Sequence, residues 1–303
     1  LNYAVNLYEH QVFGLSKPND AGKPDAGRGN TPLYPALLAA VFRVDSTPTE
    51  ELRCFLHQDG RVCENVFGAI RIAQGALAVA TLFCIGLCGR AITGSYVGAW
   101  TSALAVVGSG QLGYYANSLL TENLSIFLCA LLTWLLCKAG SRCTRWYIGI
   151  GLCVGLLVLT RPEFMYLAYA GGGLSIGWSL VARSVLSGRQ ALLIILSVTL
   201  FVVPWLARNR IVFGDTSVTD AYAGVIFAQR VAYNRMGMDE LTCGFVYWFP
   251  DFGDTLAKRL FRAEAYEKLN FGPSSYANDG IALYGQLIAT SASDAAVLKT
   301  LIT

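Results

Sequence analysis

The sequence predicts an all-α, polytopic integral membrane bundle, and three observations carry that expectation. Charged residues make up 14% of the chain, against roughly 25% in soluble domains. The mean hydropathy is +0.46. Six apolar runs recur between short polar breaks, at 67–88, 96–112, 119–137, 146–159, 164–182 and 191–206. A perpendicular crossing takes ~20 residues, so the runs at 146–159 and 191–206 need their flanks to cross.

Taken in order, residues 2–10 carry a short helical pattern, and 19–30, rich in Gly, Pro, Asp and Asn, read as an irregular loop. From 31 to 42, Leu33, Leu37, Leu38 and Val41 fall on one helical face, with Pro32 suited to a first turn. This predicts a helix on or dipping into the membrane interface. Residues 1–66 thus form a first outer segment and 67–206 a bundle of about six spans. Residues 207–303 form a second outer segment leading toward further spans. In it Leu256, Leu260, Phe261, Tyr266 and Leu269 oppose Lys258, Arg259, Arg262 and Lys268. That stripe fits a helix flat on the membrane or one packed on a small outer domain. Gly151 with Gly155, and Gly171 to Gly173, have the small-residue spacing of close helix contacts. The chain opens at Leu1 without Met, signal or first span, and so reads as a fragment.

Short loops set the orientation. One alternating set holds Arg90, then Lys138, Arg142 and Arg145, then Arg183 and Arg189; the other holds Arg161 alone. The first set is expected in the cytoplasm, which places both outer segments and the polar span ends outside. The net charge is +3, with cations divided between two faces, and this argues against nucleic acid. Most of the nine cysteines lie within spans as small apolar residues. Cys54 and Cys63 lie outside, where an oxidising compartment permits a bridge or leaves two thiols. His10 and His57 are the only histidines, no zinc spacing occurs, and no phosphate-cradling Gly loop is present.

The polar residues that interrupt the apolar runs are the site candidates, because charge at membrane depth is costly and marks function. Glu122, one turn into its run, must face protein or water. Arg161 precedes Pro162 at the end of another run, and Arg208-Asn209 follow Pro204-Trp205 at the last. Arg161 and Arg208 offer planar forks for phosphate oxygens. Arg28 either binds phosphate or fixes its loop by pairing with a carboxylate. Tyr34 and Asn209 contact a sugar or lipid head, or, for Tyr34, fill the packing.

The segments Tyr3-Ala4-Val5-Asn6-Leu7-Tyr8-Glu9-His10-Gln11-Val12-Phe13-Gly14, Arg28-Gly29-Asn30-Thr31-Pro32-Leu33-Tyr34-Pro35, Leu120-Thr121-Glu122-Asn123-Leu124 and Leu159-Thr160-Arg161-Pro162, with Pro204-Trp205, Arg208-Asn209 and Phe213-Gly214, resemble in order and sidedness the GT-C membrane glycosyltransferases of the protein mannosyltransferase and aminoarabinose transferase type. The resemblance implies transfer of a sugar from a polyprenyl-phosphate donor to a lipid, glycan or protein acceptor. The setting it implies is the outer face of a bacterial inner membrane, facing the periplasm. It implies a catalytic Asp just upstream of Tyr3, before Leu1, with Glu122 orienting the sugar or holding a cation. Arg28, Tyr34, Arg161, Arg208 and Asn209 are then substrate-binding. The partners are the lipid-linked donor and membrane lipids; a divalent metal is left open. The rival readings are a transporter or flippase, which favours midplane charges and related halves, and a non-catalytic envelope-assembly protein.

Overall fold

The computed structural model describes residues 1–16, 22–44, 68–118, 120–139, 143–166, 188–219, 223–249, 252–270 and 272–290. Among them every regular element is a helix. The chain divides into two compact units, Leu1–Thr219 and Asp220–Thr303.

In the first unit α1 is Asn2–His10, α2 Leu33–Val44, α3 Gly68–Thr93, α4 Tyr96–Gly108, α5 Gln111–Asn117, α6 Glu122–Lys138, α7 Thr144–Thr160 and α8 Gly188–Phe213. Among the described residues two stretches, Gly68–Thr93 and Gln190–Phe213, are long and apolar enough to cross a membrane. At 1.5 Å per residue the 26 residues of α3 span about 39 Å. Little of either stretch is buried, so neither resembles the core helix of a soluble domain. Their outward faces are apolar instead: Ile72, Val79 and Phe83 on α3, and Ile195, Leu196 and Leu200 on α8, are exposed.

Contacts along the helices fix their directions. Ser102 Oγ donates to the Ile85 carbonyl, and the backbone of Gly98 closes on Gly89, so α3 and α4 are antiparallel. Cys153 Sγ donates to the Leu128 carbonyl, and Gly149 meets the Leu135 side chain, which makes α6 and α7 antiparallel. The helices α7 and α8 run parallel in backbone contact. A Cβ on Gly151 would lie 2.5 Å from the Ile194 carbonyl oxygen, and one on Gly155 would lie 3.2 Å from Phe201 Cβ. The close contact expected at Gly151 and Gly155 is this one. Asn123 Nδ2 donates to the Gln74 carbonyl at 2.9 Å, and Cys88 lies against the Ala130 carbonyl, so α3 and α6 are parallel. The N-termini of α3 and α6 and the C-termini of α7 and α8 therefore share one end.

Element boundaries differ from the sequence expectation in physical ways. The helix expected to close near Leu206 continues through Pro204 to Phe213. Proline removes one i→i−4 bond, and Pro204 is exposed; the bonds of the flanking turns carry the helix on. The run 96–112 breaks at Gly110, whose φ of +70° starts α5 in a new direction. The 164–182 run beyond residue 166, Gly171 to Gly173, Cys54 and Cys63 lie outside the described residues.

In the second unit α9 is Ala223–Tyr233, α10 Met238–Tyr247, α11 Gly253–Leu260, α12 Ala263–Leu269 and α13 Tyr276–Thr290. Gln229 Nε2 donates to the Ala277 carbonyl where α9 meets α13. The helices α10 to α12 enclose Cys243, Ala257, Ala265 and Leu269. The single amphipathic stripe expected over 256–269 is two short helices, broken at Phe261 and Arg262, which are both extended. In an unbroken helix Tyr266 and Asp254 would stand about 18 Å apart along the axis. Folded back, the Tyr266 hydroxyl donates to Asp254 Oδ1 at 2.6 Å. That bond, followed by burial, pushes the Tyr266 phenol up to about 12. Burial, then the hydrogen bond to Glu240, does the same for Tyr276. Both phenols keep their protons, and so their donor bonds, across the working pH range.

Candidate functional site

Each polar candidate of the first unit is placed by a local rule. Pro162 disfavours helix at the residue before it. Arg161 is accordingly extended, at φ −147° and ψ 125°, and caps α7. Glu122 opens α6, where the helix dipole favours an anion. Because α6 and α7 are antiparallel, the two side chains meet: Arg161 Nη1 lies 3.1 Å from Glu122 Oε1, and Arg161 Nε lies 3.6 Å from Glu163 Oε2. The pair is only partly exposed, with 37% of the Arg161 side chain and 29% of the Glu122 side chain open to solvent.

This pair stands at one end of a cleft of about 710 Å³. Glu122, Ile126, Cys129 and Thr133 follow one another along one face of α6 and line it, with Ile85 and Cys88 of α3 opposite. Thr133 is eleven positions on from Glu122, a rise of about 16 Å. The cleft is thus charged at one end and apolar along the rest.

The other candidates form a second cluster. Arg208 Nη1 donates to the Gly27 carbonyl at 2.9 Å and to Asn209 Oδ1 at 2.8 Å, while Nη2 donates to the Phe13 carbonyl at 3.2 Å. Trp205, Phe213 and Phe13 surround its guanidinium with ring faces. Asn209 is fully buried; its Nδ2 donates to the carbonyls of Ser217 and Val218, and Trp205 Nε1 also donates to Val218. Arg28 Nη1 lies 2.9 Å from Asp215 Oδ2, so it is the carboxylate alternative for Arg28 that this geometry contains. The Ser217 hydroxyl, and after it the Arg28 guanidinium, hold the Asp215 carboxyl below its ordinary range. Phe13, Gly27 and Arg28 are therefore clamped onto the C-terminal end of α8 and the residues after it.

One bond joins the two clusters. Thr31 Oγ1 donates at 2.6 Å to the carbonyl of Thr160, the residue before Arg161. Tyr34 is buried, and its hydroxyl accepts from Gln74 Nε2 at 2.7 Å. Gln74 is in turn bonded to Asn123, beside Glu122. Tyr34 and Asn209 are thus enclosed among these partners.

Gln74, Asn123, Asp215, Ser217 and Glu163 join these networks without having been singled out in the sequence. A signal existed for Gln74, a lone amide within an apolar run. Asp215 and Ser217 find partners 187 and 189 residues away, which no local pattern encodes. Among the described residues no group of three or more His, Cys, Asp or Glu side chains is arranged to hold a metal ion. Comparison with protein-family models, curated proteins and solved structures finds no match to this chain.

Proposed function

We propose that the chain is part of a polytopic membrane glycosyltransferase that moves a sugar from a polyprenyl-phosphate donor to an acceptor at the outer face of the membrane. The observation that carries the reading is the amphiphilic cleft: a guanidinium between two carboxylates at its mouth and an apolar groove running from them along α6. A lipid phosphate has that shape and polarity. The membrane reading is supported by two long helices whose apolar faces point outward. The common end of Glu122, Arg161 and Arg208, and the alternating directions of α3, α4, α6 and α7, support a path back and forth across a bilayer.

On this reading Arg161 is the phosphate ligand. Charge grows on the lipid phosphate as it leaves, so a preplaced cation at the mouth of the cleft stabilises the transition state more than the ground state. Glu122 holds the guanidinium at the mouth until a phosphate oxygen replaces its carboxylate. Arg208 and Arg28 act at one remove, by clamping the loop that carries Thr31 and so setting the end of α7. A transporter would favour charges at the middle of its spans, whereas Arg71 and Arg90 lie near the ends of α3 and Arg208 and Arg210 near the end of α8.

The test is Arg161→Ala in membranes supplied with radiolabelled polyprenyl-phosphate sugar. Transfer should fall by about 100- to 1,000-fold, with insertion unchanged. Unaltered turnover would remove Arg161 as phosphate ligand; no transfer by the wild-type chain would remove the enzyme reading.

A further inference from the structure

The second unit carries an apolar surface that its own core does not use. On α10 Cys243 and Gly244 face inward against Ala257, Ala265 and Leu269. The opposite arc of a helix at the surface of a soluble domain would be polar. Here it holds Met238, Leu241, Phe245 and Trp248, and it continues through Phe249 and Phe252 to Leu256 and Leu260 of α11, all exposed. The arc is one continuous ridge, because the Phe245 and Phe249 rings meet at 5.7 Å and those of Phe249 and Phe252 stack at 5.9 Å. Gly253 makes the continuity possible: a Cβ there would lie 2.4 Å from the Val246 carbonyl oxygen. Any larger residue would push α11 off the end of α10. The bond from Tyr266 to Asp254 holds α11 from behind.

We infer that this ridge is a membrane-interface anchor, seated among the headgroups and upper acyl chains of a bilayer containing anionic lipid. Three observations select a lipid surface over a protein partner. Its side chains, exposed to 72% at Phe245 and 74% at Met238, present on the order of several hundred Å² of apolar area. Among the described residues along that arc the side-chain hydrogen-bonding groups are the Trp248 indole and the Thr242 hydroxyl, which is turned back onto the Met238 and Asp239 carbonyls; such a face suits a headgroup layer but not the polar rim of a protein interface. Lys258, Arg259 and Arg262, all exposed, belong to α11 and the turn after it, where anionic headgroups complement them. The chain also delivers the unit to a membrane: residues 214–222 alone separate Ala223 from Phe213, the end of a helix long enough to cross, a reach of at most about 35 Å.

The inference rests on the membrane reading of the first unit, and the experiment separates the two. The full chain is reconstituted into phosphatidylcholine vesicles containing phosphatidylglycerol, with and without bromine on the acyl chains. The emission of Trp248 is obtained as the difference between the wild type and Trp248→Phe. The chain should float with the vesicles, and brominated chains should lower the Trp248 share about twofold or more while aqueous iodide leaves it unchanged. A Trp248 share quenched by iodide, or shielded from both quenchers as under a protein partner, overturns the anchor and leaves the membrane reading intact. Failure to float overturns both.

Discussion

Arg161 and Arg208 stand at the same end of the bundle and differ in what their guanidinium groups hold. Arg161 faces two carboxylates at the mouth of a cleft; Arg208 binds two main-chain carbonyls and an amide and is walled by three aromatic rings. A carboxylate released from an arginine is resolvated or finds another cation, so an incoming phosphate can take its place. A main-chain carbonyl of a packed loop has no such alternative, and leaving it unpaired carries the full desolvation cost. The residue type is the same, but the partners divide an exchangeable ion pair from a fixed set of hydrogen bonds.

The strongest way to break this comparison is to exchange the two outcomes. Arg161→Ala is expected to remove the 100- to 1,000-fold given above while folded stability changes by less than about 1 kcal/mol, as for other partly exposed ion pairs. Arg208→Ala should instead cost about 2–4 kcal/mol of stability, seen as earlier thermal unfolding in a fixed detergent. Arg208→Lys should recover little of it, because an ammonium cannot reproduce the fork that spans Gly27 and Phe13. If Arg208→Ala unfolds with the wild type and loses only turnover, the clamp is the wrong role. A smaller effect is expected of Asn209→Ala, which leaves the Ser217 carbonyl without its donor while Trp205 still serves Val218; about 1–3 kcal/mol should be lost.

The smallest effect concerns Asp215. Its carboxyl is held below the ordinary range by Ser217 and then Arg28, so its contribution is fully present above the unfolded value of about 3.9. That contribution disappears as pH falls through the lowered folded value. Asp215→Asn should therefore flatten the acid limb of a stability-against-pH curve and leave the neutral region nearly unchanged. An acid limb identical in the two proteins would show that Asp215 does not tie Arg28.

What could be read in advance follows the range of the forces involved. Helix α1 appears at the residues its pattern indicated, and the stop at Arg161 follows from the proline beside it. Glu122 was legible as a group that must face protein or water, and its partner 39 residues away is set by the α6–α7 pairing. The bonds of Arg208 to Gly27 and Phe13 were not legible, because loop carbonyls carry no side-chain signature. Pro204 suggested an ending, yet the helix passes through it, because one missing i→i−4 bond is outweighed by the bonds of the turns on either side. The fold-back at Phe261 and Arg262 has neither Pro nor Gly to announce it; the Tyr266–Asp254 bond, a product of folding, marks it instead.

The bare backbone contact of α7 on α8 has a last consequence. With only hydrogen at Gly151 and Gly155, the helices mesh at a single longitudinal setting, as two notched rods do. A slip by one turn, about 5.4 Å, would carry Arg161 off its spacing from the clamped loop and draw Thr160 away from Thr31. Two absent methyl groups thus gauge the mouth of the cleft from a level two to three helical turns below it.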